Sequence, residues 1–249
     1  MPSARGRRAP PTVGSRPSVT GPLDGSHRAR RLVDVVVAAT ALTLLVPLLM
    51  LIAVAIVVSM GPPLLFHQQR SGLDGREFTI VKFRTMRPER EPGEADRDRT
   101  TRLGALLRSL SLDELPQLWN VLVGDMSLVG PRPTLPEQVV HYDARQRRRL
   151  RVRPGLTGYA QVMGRNRLSW PERIELDLWY LDHRSLVLDL RIVGRTLVAL
   201  VRREGIYGAG GVNRGFPAPV PSDDIPATPP SAAAGPVGQG QSDPDGAVS

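Results

Sequence analysis

Between Val35 and Phe66 the chain carries no charged side chain, and Val35 to Met60 is dominated by Val, Ala, Leu and Ile. That run exceeds the about 20 apolar residues needed to cross the hydrocarbon core of a bilayer. It is not a cleavable signal peptide, because it starts too late, runs too long and lacks a small-residue cleavage site. The expectation is a membrane-embedded helix. Arg28, Arg30 and Arg31 flank one end, and Arg70, Arg76, Lys82 and Arg84 follow the other. Basic flanks on both sides pull both ends toward the cytoplasm. Pro47 lies near the middle, where it removes a backbone hydrogen bond and favours a kink. A bent, re-entrant helix over residues 28–66 accommodates both features; an ordinary kinked span is the alternative.

A second lipid-facing element is expected near the C-terminus. Ser185 can cap a helix running to about Arg203, with Leu186, Leu190, Val193, Leu197 and Leu200 on one face and Arg191, Arg195, Arg202 and Arg203 off it. An apolar stripe with an Arg-rich flank suits a helix lying in the membrane interface, and equally a core-facing helix with a solvated basic side.

Both ends of the chain, residues 1–27 and 208–249, are Pro, Gly, Ser, Ala and Arg or Asp with little to bury, and read as disordered. The expected folded part is thus the anchor at 28–66 and one domain at 67–207. The net charge of +9 suits nucleic acid, an anionic membrane face or phosphate-bearing substrates. The absence of cysteine excludes disulfides, thiolate catalysis and Cys-ligated zinc, and no two of the four His have metal-ligand spacing.

The candidate chemistry lies in the polar half. Phe78 to Met86 alternates as a short strand expected to place Lys82 and Arg84 on one face, where two cations invite a phosphate. Residues 87–100 read as a surface loop. Leu103, Leu106, Leu107 and Leu110 then have helical spacing, with Arg108 off that face. Ser111 and Glu114 have the spacing of a capping box, Leu115, Leu118, Trp119 and Leu122 form the expected buried stripe, and Gly124 is a natural stop. Asp113 and Glu114 thus fall in a first helical turn, which favours ionised carboxylates. They either merely stabilise that turn or form a nucleophile beside a metal-binding carboxylate. Gly130-Pro131-Arg132-Pro133 is a stiff turn that can present a guanidinium rigidly to a phosphate. Six Arg between Arg145 and Arg153 make a solvated or membrane-contacting basic run. Pro154 to Gly158 forms a turn whose small residues allow a ligand close to the backbone.

Taken in order, these segments resemble the bacterial sugar transferases, the monotopic phosphoglycosyl transferases. The resemblance rests on Arg30 to Asp34, Pro47 and Gly61-Pro62. It continues through Lys82 to Met86, Ser111 to Trp119, Gly124 to Pro133, Arg153 to Val162, Glu175 to Tyr180 and Ser185 to Thr196. Tyr159, Met163 and Leu110 stand where the family commonly has other residues. Larger relatives carry additional transmembrane helices before the anchor, and this chain has the look of the catalytic unit alone.

The resemblance implies a mostly helical α/β fold: a re-entrant helix plus a small cytoplasmic domain with interfacial amphipathic helices, pressed on the inner leaflet of the cell membrane. It implies a ping-pong transfer of sugar-1-phosphate from a UDP-sugar to a polyprenyl phosphate such as undecaprenyl phosphate, initiating exopolysaccharide or glycan assembly. Asp113 would be the nucleophile, Glu114 would bind Mg²⁺, and Lys82, Arg84, Arg108, Arg132 and Arg153 would contact phosphate. A homodimer is compatible with the sequence. A catalytically idle membrane scaffold is a second reading. A nucleic-acid binder is a third, which the four Tyr, the four Phe and the lack of a nucleic-acid-binding signature disfavour.

Overall fold

A computed structural model of the protein describes residues 25–91, 94–164 and 168–202. The expected disordered ends lie outside them, except that residues 25–27 already belong to the first helix. That helix, α1 (Gly25–Met60), runs 36 residues without a break at Pro47 and spans about 54 Å. It is long and apolar enough to cross a membrane by length and composition.

The remaining elements are β1 (Leu65–Ser71), β2 (Glu77–Phe83), α2 (Asp96–Arg99), α3 (Arg102–Ser109), α4 (Gln117–Val123) and β3 (Ser127–Val129). They continue with α5 (Pro136–Val139), β4 (Gly155–Thr157), α6 (Tyr159–Met163), α7 (Trp170–His183) and α8 (Leu186–Arg202). Helices dominate, as expected. Among the described residues the strands form two separate two-stranded sheets, β1 antiparallel to β2 and β3 parallel to β4. The strand expected over residues 78–86 ends at Phe83. Its partner β1 has no apolar alternation (Leu-Phe-His-Gln-Gln-Arg-Ser), so only the pairing Leu65↔Phe83 to Ser71↔Glu77 makes it a strand.

The core explains the position of α1. Ala38 packs with Ile80, Leu118, Val121 and Met126, and further along Ile52 and Ile56 pack with Phe83 and Leu107. One face of α1 therefore supplies the floor under β2, α3 and α4. The other face is apolar and exposed, with Leu44, Met50, Leu51, Val54 and Val58 bare.

Polar clamps hold both ends of α1. Near its start, the Arg31 guanidinium donates to the carbonyls of Val121 (2.5 Å) and Leu122 (2.7 Å) at the end of α4, and Arg30 pairs with Asp189 of α8 at 2.9 Å. At its end, Arg84 donates to the carbonyls of Met60, Gly61 and Pro62. Those are orphan acceptors of a helix C-terminus, where a buried cation is favoured.

The β3–β4 crossing fixes the Gly-Pro-Arg-Pro turn. A Cβ on Gly155 would sit 2.1 Å from Gly130 N, and one on Gly158 would sit 2.2 Å from Gly130 O. The small residues of the 154–158 segment thus serve close approach of two backbone segments, and Leu156 and Thr157 between them border a cleft. The basic run folds as a 3-10 turn over Gln146–Arg151 whose cations pair with α7, Arg145 with Glu175 and Arg148 with Asp182. Arg149 is buried, while Arg145, Arg147 and Arg151 stay exposed, so the run keeps a solvated basic face tied to α7 by ion pairs.

Helix α8 begins where Ser185 predicts, with Leu188 N donating to Ser185 Oγ at 3.2 Å. Its inward face is Ile192, Leu188 and Val193. Leu186, Leu190 and Leu197 of the expected stripe face outward with Val187 and Val198, so this helix carries an exposed apolar face.

Candidate active site

Asp113 and Glu114 lie on a 3-10 turn, Leu112–Glu114, entered through Ser111 at φ 54° and leading into α4 at Pro116. The expected capping box is not formed. Ser111 in the left-handed region makes no side-chain cap, and the Glu114 carboxylate is drawn instead to two cations. Lys82 Nζ from β2 reaches Glu114 Oε1 at 2.6 Å, and Arg132 Nη2 from the Gly-Pro-Arg-Pro turn reaches the same oxygen at 2.8 Å. Such charge-assisted bonds exceed what a cap contributes. A capping box does occur elsewhere, between Ser169 and Glu172 at the start of α7.

Electrostatics separate the two acids. Burial alone would raise the pKa of Glu114, but Arg132 and Lys82 outweigh it and hold the carboxyl well below the usual range. Arg132 is stabilised as a cation by the same Glu114. Burial pushes Lys82 down from the ordinary lysine value, against the pull of Glu114. Asp113 moves the other way, raised first by burial and then by the neighbouring Glu114 charge, with Lys82 and Arg108 opposing. Among the described residues Asp113 is only 9% exposed and forms no ion pair. An unpaired carboxylate beside a neutralised one is the arrangement a nucleophile needs.

A cleft of about 560 Å³ opens over this turn. Its wall carries Arg70, Arg108, Ser111, Glu114 and Arg132 together with leucines of several elements. Asp113 and Lys82 do not border it but interact with Glu114, which does. Arg108 on α3 is steadied by Thr85 Oγ1 (3.0 Å) and Met86 Sδ (2.8 Å).

Two of the cations expected at phosphate lie elsewhere. Arg84, one residue past the end of β2, is committed to the carbonyls at the end of α1. Arg153 Nε donates to Gly124 O at 2.8 Å and closes the end of α4. Neither borders the cleft. Trp119, expected in the buried stripe, is 56% exposed, and Gln117, Leu118, Asn120 and Val121 are buried in its place.

Sequence reasoning missed three site residues. Arg70 on β1 borders the cleft beside Arg132, and its pKa is lowered to about 10 by burial and by that neighbouring cation. Arg149 and Asp177 form an ion pair at 2.6 Å with each side chain 4% exposed. Arg149 also donates to the Arg132 carbonyl at 3.2 Å and to Thr134 Oγ1 at 3.1 Å, tying the turn that carries Arg132 to α7. The available signal was Asp177 itself, an acid at i+3 of Ile174 and one residue before Leu178 on the buried face of α7.

The residues were tested for a divalent cation. Among the described residues no cluster of three or more His, Asp or Glu exists, which argues against a cage built from protein alone. Mg²⁺ commonly takes one or two carboxylates and completes its shell with substrate phosphates and water. Asp113 and the second oxygen of Glu114 fit that mode.

The profile of the family described as "Bacterial sugar transferase" matches residues 25–203. The chain is 46% identical over 181 residues to the "Uncharacterized sugar transferase EpsL" of Bacillus subtilis, covering 71% of this chain and 89% of that protein. It is 45% identical over 191 residues to the "UDP-glucose:undecaprenyl-phosphate glucose-1-phosphate transferase" of Caulobacter vibrioides, covering 72% of each. It is 39% identical over 199 residues to the "Exopolysaccharide production protein ExoY" of Rhizobium meliloti, covering 72% of this chain and 88% of that protein.

Proposed function

The chain belongs to the bacterial sugar transferase family, and on that premise we propose that it is a phosphoglycosyl transferase working through a covalent aspartyl phosphosugar. The observation that carries this reading is the unpaired, buried Asp113 next to a Glu114 already neutralised by Lys82 and Arg132. A carboxylate Oδ of Asp113 attacks the β-phosphorus of a UDP-sugar. The bond from that phosphorus to the oxygen bridging the two phosphates breaks, and UMP leaves. A phosphate oxygen of a polyprenyl phosphate then attacks the same phosphorus, releasing the Asp113 carboxylate and forming a polyprenyl diphospho-sugar. The Caulobacter relative is named for this pair of substrates, with glucose as the sugar.

Lys82, Arg108 and Arg132 surround the acids with positive charge and take up the negative charge of the diphosphate. When bound, Mg²⁺ at Glu114 supplies further screening of that charge. Arg132 is the most exposed of the ligands to Glu114, 49% against 17% for Lys82. It is therefore the cation best able to swing from Glu114 to an arriving phosphate.

The clamps on α1 support a reading of the membrane arrangement. Both of its ends, at Arg31 and at Met60, are bound to the same catalytic body. An anchor that entered one face of the bilayer and left by the other would have to part from that body at one end. We read α1 as re-entrant or interfacial, with its bare apolar face and that of α8 in the inner leaflet and the catalytic residues on the cytoplasmic side. A site held at that depth meets the phosphate of a lipid acceptor without extracting it.

The test is UMP release from a panel of UDP-sugars, with undecaprenyl phosphate and Mg²⁺, by wild type and Asp113→Asn. Acceptor-dependent UMP from one sugar, abolished in the variant, is the expected outcome and also identifies the sugar. Retained activity in Asp113→Asn sinks the nucleophile, and retained activity in EDTA sinks the role of the metal.

A further inference from the structure

The cleft has a second half that the reaction at the phosphates does not use. Part of its wall is apolar: Leu115 from the turn before α4, Leu128 from β3 and Leu156 from β4, which pack on one core cluster, with Val193, Leu197 and Leu200 from α8. Leu115 follows Glu114 directly, so this limb begins where the acid pair ends. Its polar groups are largely occupied, with Gln161 Oε1 the exception, a buried acceptor without a partner. Thr157 and Thr196 share a hydrogen bond at 2.7 Å and Thr196 also donates to Ile192 O, while Gln161 gives its amide to Leu156 O at 3.4 Å. At the far end, Leu197 both borders the cleft and is 59% exposed. On α8 it lies one, two and three turns on from Gly194, Leu190 and Leu186, so it continues the exposed apolar stripe of that helix. The limb therefore opens onto the surface assigned above to the bilayer.

Resting on the proposed transfer reaction, we propose that this limb is the binding site for the isoprenoid chain of the acceptor. The first isoprene units lie along Leu115, Leu128 and Leu156 and leave past Leu197 into the lipid. Apolar area removed from water or from a crowded interface favours a chain there, and the limb offers few free donors or acceptors to a nucleoside or sugar. The chain's direction follows from its phosphate, which has to reach the cations around Glu114 while its tail stays in the membrane. The reaction's two substrates then approach Asp113 from different ends of one cleft.

The two half-reactions separate this idea from the reading beneath it. Exchange of labelled UMP into the UDP-sugar needs no lipid and reports the first half alone. Full turnover in detergent micelles with undecaprenyl phosphate reports both and removes effects of bilayer docking. In Leu197→Asp, a carboxylate in the exit of the limb raises the acceptor KM about tenfold or more, while exchange stays within about twofold of wild type. Leu190→Asp, at a site more exposed on α8 than Leu197 but off the cleft, leaves both within about twofold in micelles.

With wild type, acceptors of increasing chain length give a KM that falls steeply over the first few isoprene units and then flattens. Equal loss of exchange and turnover in Leu197→Asp would give the limb to the donor. Equal loss in Leu190→Asp and Leu197→Asp would reduce it to surface, and an acceptor KM independent of chain length would overturn it without recourse to any variant. Absence of exchange in wild type would overturn the covalent reading itself, and the limb's assignment with it.

Discussion

Replacing Asp177 with Ala probes the buried brace behind the active-site turn. In the native protein Asp177 Oδ2 lies 2.6 Å from Arg149 Nη2 and each side chain is 4% exposed, at the wall of the cleft. Removing the carboxylate leaves Arg149 with the Tyr142 hydroxyl, Thr134 Oγ1 and the Arg132 carbonyl, which are dipoles without a counter-charge. Breaking one partner of such a pair costs about 3–5 kcal/mol. For a folded body of this size, that corresponds to a midpoint lowered by about 6–20 °C. Thermal unfolding of detergent-solubilised protein, followed by circular dichroism, measures it.

The double variant Arg149→Met/Asp177→Leu removes both charges and should recover most of the stability, since an apolar replacement of a buried pair is often neutral. It should not recover activity. The Arg132 carbonyl has then lost its donor, and the turn presenting Arg132 to Glu114 is looser. A single-variant loss below about 1 kcal/mol, or a double variant less stable than either single one, would refute the claim that a buried charge pair is what the brace contributes.

The pH dependence carries a sign. Asp113 attacks only when ionised, and its pKa lies above the ordinary 3.8 because of burial and then Glu114, so activity on the acid side is lost at a higher pH than for an exposed aspartate. In kcat/KM profiles of the first half-reaction, Glu114→Gln moves that limb down and Lys82→Met moves it up; shifts of the opposite sign would contradict the assignment. Arg84→Met should cost about 2–4 kcal/mol by stripping the carbonyls of Met60, Gly61 and Pro62. It should also leave the donor KM of the surviving folded enzyme near wild type, because Arg84 does not border the cleft; a raised donor KM at unchanged stability would restore it as a phosphate ligand. Gly155→Ala drives a methyl to 2.1 Å from Gly130 N and should abolish the folded crossing of β3 and β4, read as loss of soluble protein in detergent; a variant of normal stability would show that the crossing relaxes.

Local and one-dimensional features were legible from the chain alone. The uncharged run from Val35, the proline within it, the end of α4 at Gly124 and the start of α8 at Ser185 each follow from rules that act within a few residues. The adjacency of Asp113 and Glu114 likewise needs no fold, and neither does the basic character of the segments around them. Which cation serves which acid is different. Lys82, Arg84, Arg132 and Arg153 are alike as sequence, yet the fold sends Lys82 and Arg132 to Glu114, Arg84 to the end of α1 and Arg153 to the end of α4. Arg70 joins them because β1, which has no apolar alternation, is recruited by pairing with β2.

The same holds for burial. Trp119 has the spacing of a core residue and is bare, while Asp177 has the charge of a surface residue and is sealed against Arg149. Periodicity reports how a helix would bury a face if a partner lay along it. Hydrogen bonds and ion pairs between residues 18 to 159 positions apart decide which partner does, and those long-range contacts are written in no single segment.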